Sequence, residues 1–202
     1  MIRANHSQFH CWLLNLYIEY ILRTDFHTVQ IRGNVKPDER SILLIPNHFS
    51  WWDGFFAWHV NRKVFSKRYH VMMLEQELAQ RLFFSRVGAF SVNLGKRSVI
   101  ESLNYCIDIL HNPNNMLLMF PQGKLESQHA NQVRFQKGVE HIVAKAKSAR
   151  VVFAVCLVDY FSYRKPTLTI TLKEYDGLSS MEEAFNQHLR DCIVQQAKLL
   201  DL

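Results

Sequence analysis

Past residue 27 the apolar positions keep changing period, from the alternation or short continuous runs of strands to the three-and-four spacing of helices. HTVQIR (27–32) and RSILLIP (40–46) read as strands, and a helix is expected from about Ser50. YHVMML (69–74) is a strand pattern followed by a helical QELAQRLFFSRV (76–87). AFSV (89–92) is a short strand ahead of a helix over Ser98 to His111, where Val99, Leu103, Cys106, Ile107 and Leu110 recur at helical spacing. Strand NMLLMF (115–120), a helix carrying Phe135, Val139, Ile142, Val143 and Ala146, strands VVFAVCLV (151–158) and TLTITLKEY (167–175), and a C-terminal helix complete the series. Alternating strands and helices predict an α/β layered sandwich: one domain with a largely parallel or mixed central sheet flanked by helices, its last strands antiparallel.

Residues 1–26 stand apart from residues 27–202, as an amphipathic N-terminal helical segment before the domain proper. On a helix, Phe9, Trp12, Leu13, Leu16, Tyr17 and Tyr20 form one apolar stripe and Leu14, Ile18, Ile21 and Leu22 a second, with Cys11, Asn15 and Glu19 between them. Two readings stay open: a helix buried on both sides, or one with a face on the protein and a face in a lipid interface, where Trp and Tyr are favoured.

With 48% apolar and 21% charged residues in 202, the chain is long enough to bury a core without disulfides. Its formal charge of +6 suits a surface that meets phosphates, but no basic run interleaved with aromatics marks a nucleic-acid footprint, and no nucleic-acid partner is expected. Cys11, Cys106, Cys156 and Cys192 are far apart and the histidines lack ligand spacing, so no metal is expected and the cysteines read as small core residues of a reducing compartment. His59, His70, His111, His129 and His141 read mostly as solvated surface. No run reaches about 18 apolar residues and the N-terminus lacks a signal-peptide pattern, which leads us to expect a cytoplasmic protein lying peripherally on the cytosolic face of a membrane.

The chemistry concentrates in NHFSWWDGFF (47–56), where His48 and Asp53 sit among five aromatic residues. Apolar ILLIP leads into Asn47 and His48, so the pair falls at the C-terminal end of a strand, where α/β folds gather their sites. Ser50 followed by Asp53 makes a capping-box pattern, placing Asp53 in the first turn with His48 just outside the helix. A carboxylate bonded to one imidazole nitrogen fixes the tautomer and leaves the other free to take a proton. With ten His in the chain, a His–Asp pair at this spacing arises roughly 0.4 times by chance, so spacing alone is weak and, without other motifs, a helix cap at Ser50 and Asp53 beside a half-buried histidine is the favoured reading.

NHFSWWD resembles the N-H-x-S-x-x-D block, an H-x4-D motif, of the glycerolipid acyltransferase family, whose lysophosphatidic acid acyltransferases move a fatty acyl chain from a thioester onto a hydroxyl. VGAFSVN (87–93) is similar to that family's second block, MLLMFPQGKLES (116–127) to its F-P-E-G-T-R-S block, and RFQKGVEHIVAKAKSARVVFAVCL (134–157) holds the place that leads into its last block. The resemblance spans about residues 27 to 160. It implies an enzyme of lipid metabolism of the phospholipid-biosynthesis type, with acyl-CoA or acyl carrier protein thioester as co-substrate and no bound cofactor. It makes His48 the general base, oriented by Asp53. Acceptor and donor contacts fall on Asn47, Ser50, Trp51, Trp52, Lys96, Arg97, Pro121, Gln122, Gly123 and Lys124. Ser50 is then a cap rather than a nucleophile. Trp51, Trp52, Phe55, Phe56 and Trp58 flank a fatty chain's path or pack the helix, and we expect both. The partners implied are an acyl thioester donor, an acyl carrier protein among them, a lipid acceptor and a membrane surface.

This chain departs from the family pattern where the acceptor's head group is held. Gln122 stands where the family has Glu, Leu125 where it has the phosphate-pairing Arg, and Leu94 where an Arg often closes the second block, with Lys96 and Arg97 just beyond; VVFAVCLV also lacks the last block's proline. Three readings follow, in this order. The first is an acyltransferase with an acceptor other than lysophosphatidic acid, such as a glycolipid, a glycosylated terpenoid or a lyso-aminolipid, with Gln122 bonding a neutral hydroxyl. The second is a lysophosphatidic acid acyltransferase using Lys96, Arg97 and Lys124 as substitutes. The third is an idle lipid-binding or membrane-adaptor protein. Arg62, Lys63, Lys67 and Arg68, expected in a loop, are the nearest approach to a basic cluster for head groups or coenzyme phosphates.

Overall fold

The computed structural model describes residues 1–36, 38–93, 96–130 and 132–199, with the side chains of Lys96 and Arg97 outside the described set. Helix α1 (Gln8–Asp25) begins at Ser7, whose hydroxyl accepts the N–H of His10. Strand β1 (Thr28–Arg32) follows, then β2 (Ile42–Pro46) and α2 (Asp53–Val60), which runs on through one π-helical turn at Asn61–Phe65. Beyond β3 (Arg68–Leu74) the sequence pattern predicts one helix over 76–87. The chain instead makes α3 (Glu75–Gln80), breaks at Arg81 and continues as a 3₁₀ segment, Leu82–Val87. Gly88 ends it at φ +108, where a Cβ would stand 2.0 Å from the Tyr69 carbonyl oxygen, so only glycine passes there. Then come β4 (Ala89–Val92), α4 (Lys96–His111), β5 (Asn115–Leu118), α5 (Lys137–Lys145), β6 (Arg150–Asp159), β7 (Thr167–Glu174) and α6 (Met181–Lys198).

Seven strands form one sheet in the order β1-β7-β6-β2-β5-β3-β4. All pairs are parallel except β6 with β7, which are antiparallel as expected of the last strands. The central strand β2 is buried along its whole length, and its side chains divide by parity. Ile42 and Leu44 join a core beneath α1 and α2, whereas Leu43 and Ile45 join one beneath α4, α5 and α6. The result is a three-layer α/β sandwich. Helix α1 belongs to it: Leu14, Ile18, Ile21 and Leu22 are in the first core.

Because β2 to β6 run the same way, their C-terminal ends share one edge. There β6 outruns β2, and two side-chain amides satisfy its surplus backbone groups. Asn47 donates to the Cys156 carbonyl at 2.9 Å and accepts the Cys156 N–H at 2.8 Å. Gln128 does the same for Val158, at 3.1 and 3.0 Å. A buried backbone group left without a partner costs about 1–3 kcal/mol, which is the physical reason for two clamps in succession.

Candidate active site

The loop between β2 and α2 carries the site. Helix α2 starts at Asp53 rather than Ser50, because Trp51 and Trp52 form a turn and Trp52 is the N-cap residue, without a side-chain cap. Only half of the capping box forms: the Asp53 carboxylate accepts the Ser50 N–H at 2.8 Å, while the Ser50 hydroxyl accepts the N–H of Trp52 at 3.1 Å.

Asp53 has a fully buried side chain, and three donors converge on its Oδ2. They are His48 Nδ1 at 2.9 Å and the N–H groups of Phe49 and Ser50, both at 2.8 Å. Burial pushes the Asp53 pKa up, and the bond from His48 with those of Ser50 and Phe49 pulls against it. Three donors aimed at one oxygen require an acceptor there, so Nδ1 carries the imidazole proton and Nε2 presents a lone pair. The ring stacks on Phe120, 3.8 Å between centroids and 18° between planes, which fixes its second degree of freedom. Asp53 Oδ1 is buried without a hydrogen-bond partner among the described residues.

The segment after β5 folds back onto this loop. Gln122 accepts the His48 N–H on its Oε1 at 2.6 Å and donates from Nε2 to Glu126 at 2.9 Å; the Glu126 N–H in turn donates to the His48 carbonyl at 2.8 Å. Gly123 makes the turn at φ +67, and the buried Pro121 accepts the Gln136 N–H at 2.8 Å. Farther along, Asn186 of α6 grips both backbone groups of Val133, at 2.7 and 2.8 Å. The bond from Gln122 holds the Glu126 carboxyl below the usual carboxylate range, helped by Lys124, whose Nζ lies 3.2 Å away.

Sequence reasoning expected Gln122 to meet the acceptor, yet it is 4% exposed with both amide atoms engaged. Asn47 is likewise a buried clamp. Lys124 is exposed and bound to Glu126, and Lys96 and Arg97 lie outside the described side chains. Glu126, Gln128 and Asn186 were missed; their roles depend on where a long loop lands, and the clamp pattern of an amide facing a strand end is not visible in a linear sequence. Of the basic cluster expected in a loop, Lys67 is in the short connection, whereas Arg62 and Lys63 lie on the π-helical turn and Arg68 starts β3; all four are toward the opposite edge of the sheet, with the Lys67 ammonium on the carbonyls of Asp38 and Pro113. His59 and His70 are buried rather than solvated, whereas His111, His129 and His141 are exposed. All four cysteines are free.

The aromatic cluster divides by depth. Phe55, Phe56 and Trp58 are buried under α1, while Trp51 and Trp52 stand half exposed at the edge. Between α1, the β2–α2 loop and the 3₁₀ segment runs a groove of about 380 Å³ lined by Leu13, Leu14, Tyr17, Trp51, Phe55, Phe83 and Phe84. Beside it the outer stripe of α1 faces outward, with Phe9, Trp12, Leu13, Leu16, Tyr17 and Tyr20 all exposed. Asn15 and Glu19, between the stripes, hold the helix down by accepting from Trp58 Nε1 at 3.4 Å and pairing with His59 Nδ1 at 3.1 Å. No helix among the described residues is long and apolar enough to cross a membrane.

A sequence model of the acyltransferase family matches residues 28–158, about two thirds of the chain. No curated protein matches the chain at the sequence level. Among solved structures it is similar to the 1-acyl-sn-glycerophosphate (LPA) acyltransferase PlsC from Thermotoga maritima, with a TM-score of 0.56 and 15% identity over 94% of this chain and 79% of that one. At that identity the likeness is one of fold.

Proposed function

Because the chain belongs to the acyltransferase family, we propose that it moves a fatty acyl chain from an acyl-CoA or acyl carrier protein thioester onto a hydroxyl of a lipid acceptor that carries no phosphate monoester, at a membrane surface. The observation that carries this reading is the His48–Asp53 pair. A buried carboxylate holds Nδ1 at 2.9 Å and leaves Nε2 as a base on the loop whose Trp51 lines the apolar groove. His48 takes the acceptor's hydroxyl proton as that oxygen adds to the thioester carbonyl; the tetrahedral intermediate expels the thiolate, which leaves with the proton from the imidazolium. Asp53 balances the positive charge during the exchange. No residue need be acylated, and Ser50 serves the loop rather than the chemistry.

The groove suits the acyl chain, since its lining is apolar and Trp51 reaches it three residues from the base. The exposed stripe of α1, with Trp51, Trp52, Leu82 and Phe83 near the same edge, suits a lipid interface: aromatic side chains favour the head-group level, and so large an apolar patch is uncommon on a protein bathed only in water. The phosphate-free acceptor follows from Leu125, which cannot pair a phosphate, and from Lys124, whose charge is committed to Glu126.

The test is thiol release from palmitoyl-CoA and palmitoyl carrier protein by wild type and His48→Ala, with lysophosphatidic acid, glycolipids and lyso-aminolipids as acceptors. Release that needs both His48 and a phosphate-free acceptor is the expected result. Release only with lysophosphatidic acid refutes the acceptor assignment, and no release from any pairing refutes the transferase in favour of a lipid-binding role.

A further inference from the structure

The side of His48 away from the apolar groove is polar. A small cleft there, of about 10 Å³, is lined by Asn47, His48, Phe49, Gln122, Glu126 and Ser127 among others, with no lysine or arginine among the described lining residues. Its volume accommodates about one water-sized group, room for a single hydroxyl, so the rest of any head group lies at its mouth beside Glu126. Asn47 and Gln128 spend their amides on β6, and Gln122 spends its amide on His48 and Glu126. What remains as an acceptor with spare lone pairs is the Glu126 carboxylate, one-quarter exposed in side chain and fixed to the catalytic loop by its own backbone.

We propose that Glu126 reads the acceptor's head group, accepting hydrogen bonds from the hydroxyls of a neutral polyol and excluding a phosphate monoester; the inference rests on the transferase reading above. An ionised carboxylate only accepts, and it accepts strongly, so a vicinal diol donating to it is held while a phosphate at the same place brings like charge against like. The geometry ties recognition to reaction. Gln122 links the Glu126 carboxylate to the backbone N–H of His48, at 2.9 and 2.6 Å, and Glu126 and His48 line the same cleft, so a head group bonded to Glu126 sits beside the base. Leu125, 54% exposed at the next position, lets the apolar part of the acceptor approach and gives a phosphate nothing. Lys124 balances Glu126 from the solvent side, its side chain 72% exposed.

The test compares kcat/KM for 1-monooleoylglycerol and for oleoyl-lysophosphatidic acid, with palmitoyl-CoA as donor, in wild type, Glu126→Gln and Glu126→Arg. The expected result is a preference of at least tenfold for the neutral diol in wild type. Glu126→Gln should weaken it mainly through KM for the diol, and Glu126→Arg should shift it toward lysophosphatidic acid. A wild-type preference for lysophosphatidic acid, or a ratio that neither substitution moves, overturns the proposal. If Glu126→Arg does not fold, the isosteric Glu126→Gln carries the comparison alone. If wild type consumes no thioester, the transferase reading has failed and calorimetric titration with monohexanoylglycerol and hexanoyl-lysophosphatidic acid decides the recognition separately. Binding of the neutral ligand that Glu126→Gln removes then supports Glu126, and equal or absent binding overturns it.

Discussion

His48 Nδ1 lies 2.9 Å from Asp53 Oδ2, and that same oxygen accepts the N–H groups of Phe49 and Ser50 at 2.8 Å. One carboxylate oxygen therefore sets both the tautomer of the base and the shape of the loop that carries it. The arrangement follows from the five-residue spacing only because Trp51 and Trp52 turn before the helix starts and bring Asp53 back beneath His48.

The two roles of Asp53 separate on mutation. His48→Ala should lower kcat by about 10²–10⁴-fold with little change in stability, because its imidazole is partly exposed and Asp53 Oδ2 keeps the N–H groups of Phe49 and Ser50. Asp53→Asn should lower kcat over a similar range and also lower the melting temperature, because one amide cannot accept three bonds on one oxygen while its NH₂ finds a partner in the space around Oδ1. Steady-state thiol release with thermal unfolding on the same samples checks both. A kcat within threefold of wild type for Asp53→Asn removes it from the mechanism.

Asn47→Ala should act on stability. It leaves the N–H and carbonyl of Cys156 without partners inside the core, at a cost of about 2–6 kcal/mol for the two groups, which lowers the melting temperature by about 4 °C or more for a chain of this size. Acceptor KM should stay within twofold. A KM that rises tenfold at unchanged melting temperature instead makes Asn47 an acceptor contact.

The difference between Asn47 and His48 shows how far the sequence could be read. Periodicity marked the strands and most helices, since one face of each is buried and the sheet demands alternation. It failed at Arg81, where a continuous apolar pattern hides a break that only the packing of Phe84 and Val87 against the first core requires. His48 and Asp53 were legible because both lie on one ten-residue stretch. Glu126, Gln128 and Asn186 were not, because each works on backbone 30 to 78 residues away, across a fold the chain has first to make. In α1 the two stripes were plain but not which one faces the core; Asn15 and Glu19 decide it, by meeting Trp58 and His59 of α2.

Those two stripes should respond in opposite ways. Trp12→Glu with Leu16→Glu changes exposed positions, so stability should move by no more than about 1 kcal/mol, while co-sedimentation with phosphatidylglycerol-containing vesicles should be lost. Ile18→Ala, at a fully buried position, should cost about 2–5 kcal/mol and leave vesicle binding by the remaining folded protein intact. Undiminished sedimentation of the double variant would remove α1 as the lipid-facing element.

Acid should loosen the fold around β3. His70 is buried, with its pKa pushed down to about 4 by burial and, next, by the charge of His6, whose ring lies 4.7 Å away edge to face; the hydrogen bond with the Arg68 carbonyl pulls the other way. The folded state thus keeps His70 neutral at a pH where the unfolded chain binds a proton. Stability is complete above the unfolded value near 6.5 and falls as pH drops toward 4, by at most about 3 kcal/mol from this group. His6, His59 and His188 are lowered by burial too and add to the same slope. Thermal unfolding between pH 7.5 and 4.5 should show the loss, reduced in His70→Asn. A flat profile for wild type would mean that these histidines reach water without unfolding.

Gln122 offers the sharpest test of the link between recognition and base, because the family pattern puts Glu at its position. Gln122→Glu is nearly isosteric and keeps an acceptor for the His48 N–H, but it replaces the Nε2 donor with an oxygen 2.9 Å from the Glu126 carboxylate. Two ionised carboxylates at that distance repel, so Glu126 swings off and the loop carrying His48 loses its brace. We expect kcat/KM to fall at least tenfold. Glu126→Gln should cost less by itself and, combined with Gln122→Glu, should restore the bridge with its donor and acceptor exchanged, recovering much of the loss in the rate of thiol release. That recovery is a coupling energy which two independent residues cannot produce. Additive losses in the double variant would show that Gln122 and Glu126 act on His48 separately, and unchanged kinetics in Gln122→Glu alone would show that the bridge plays no part in turnover.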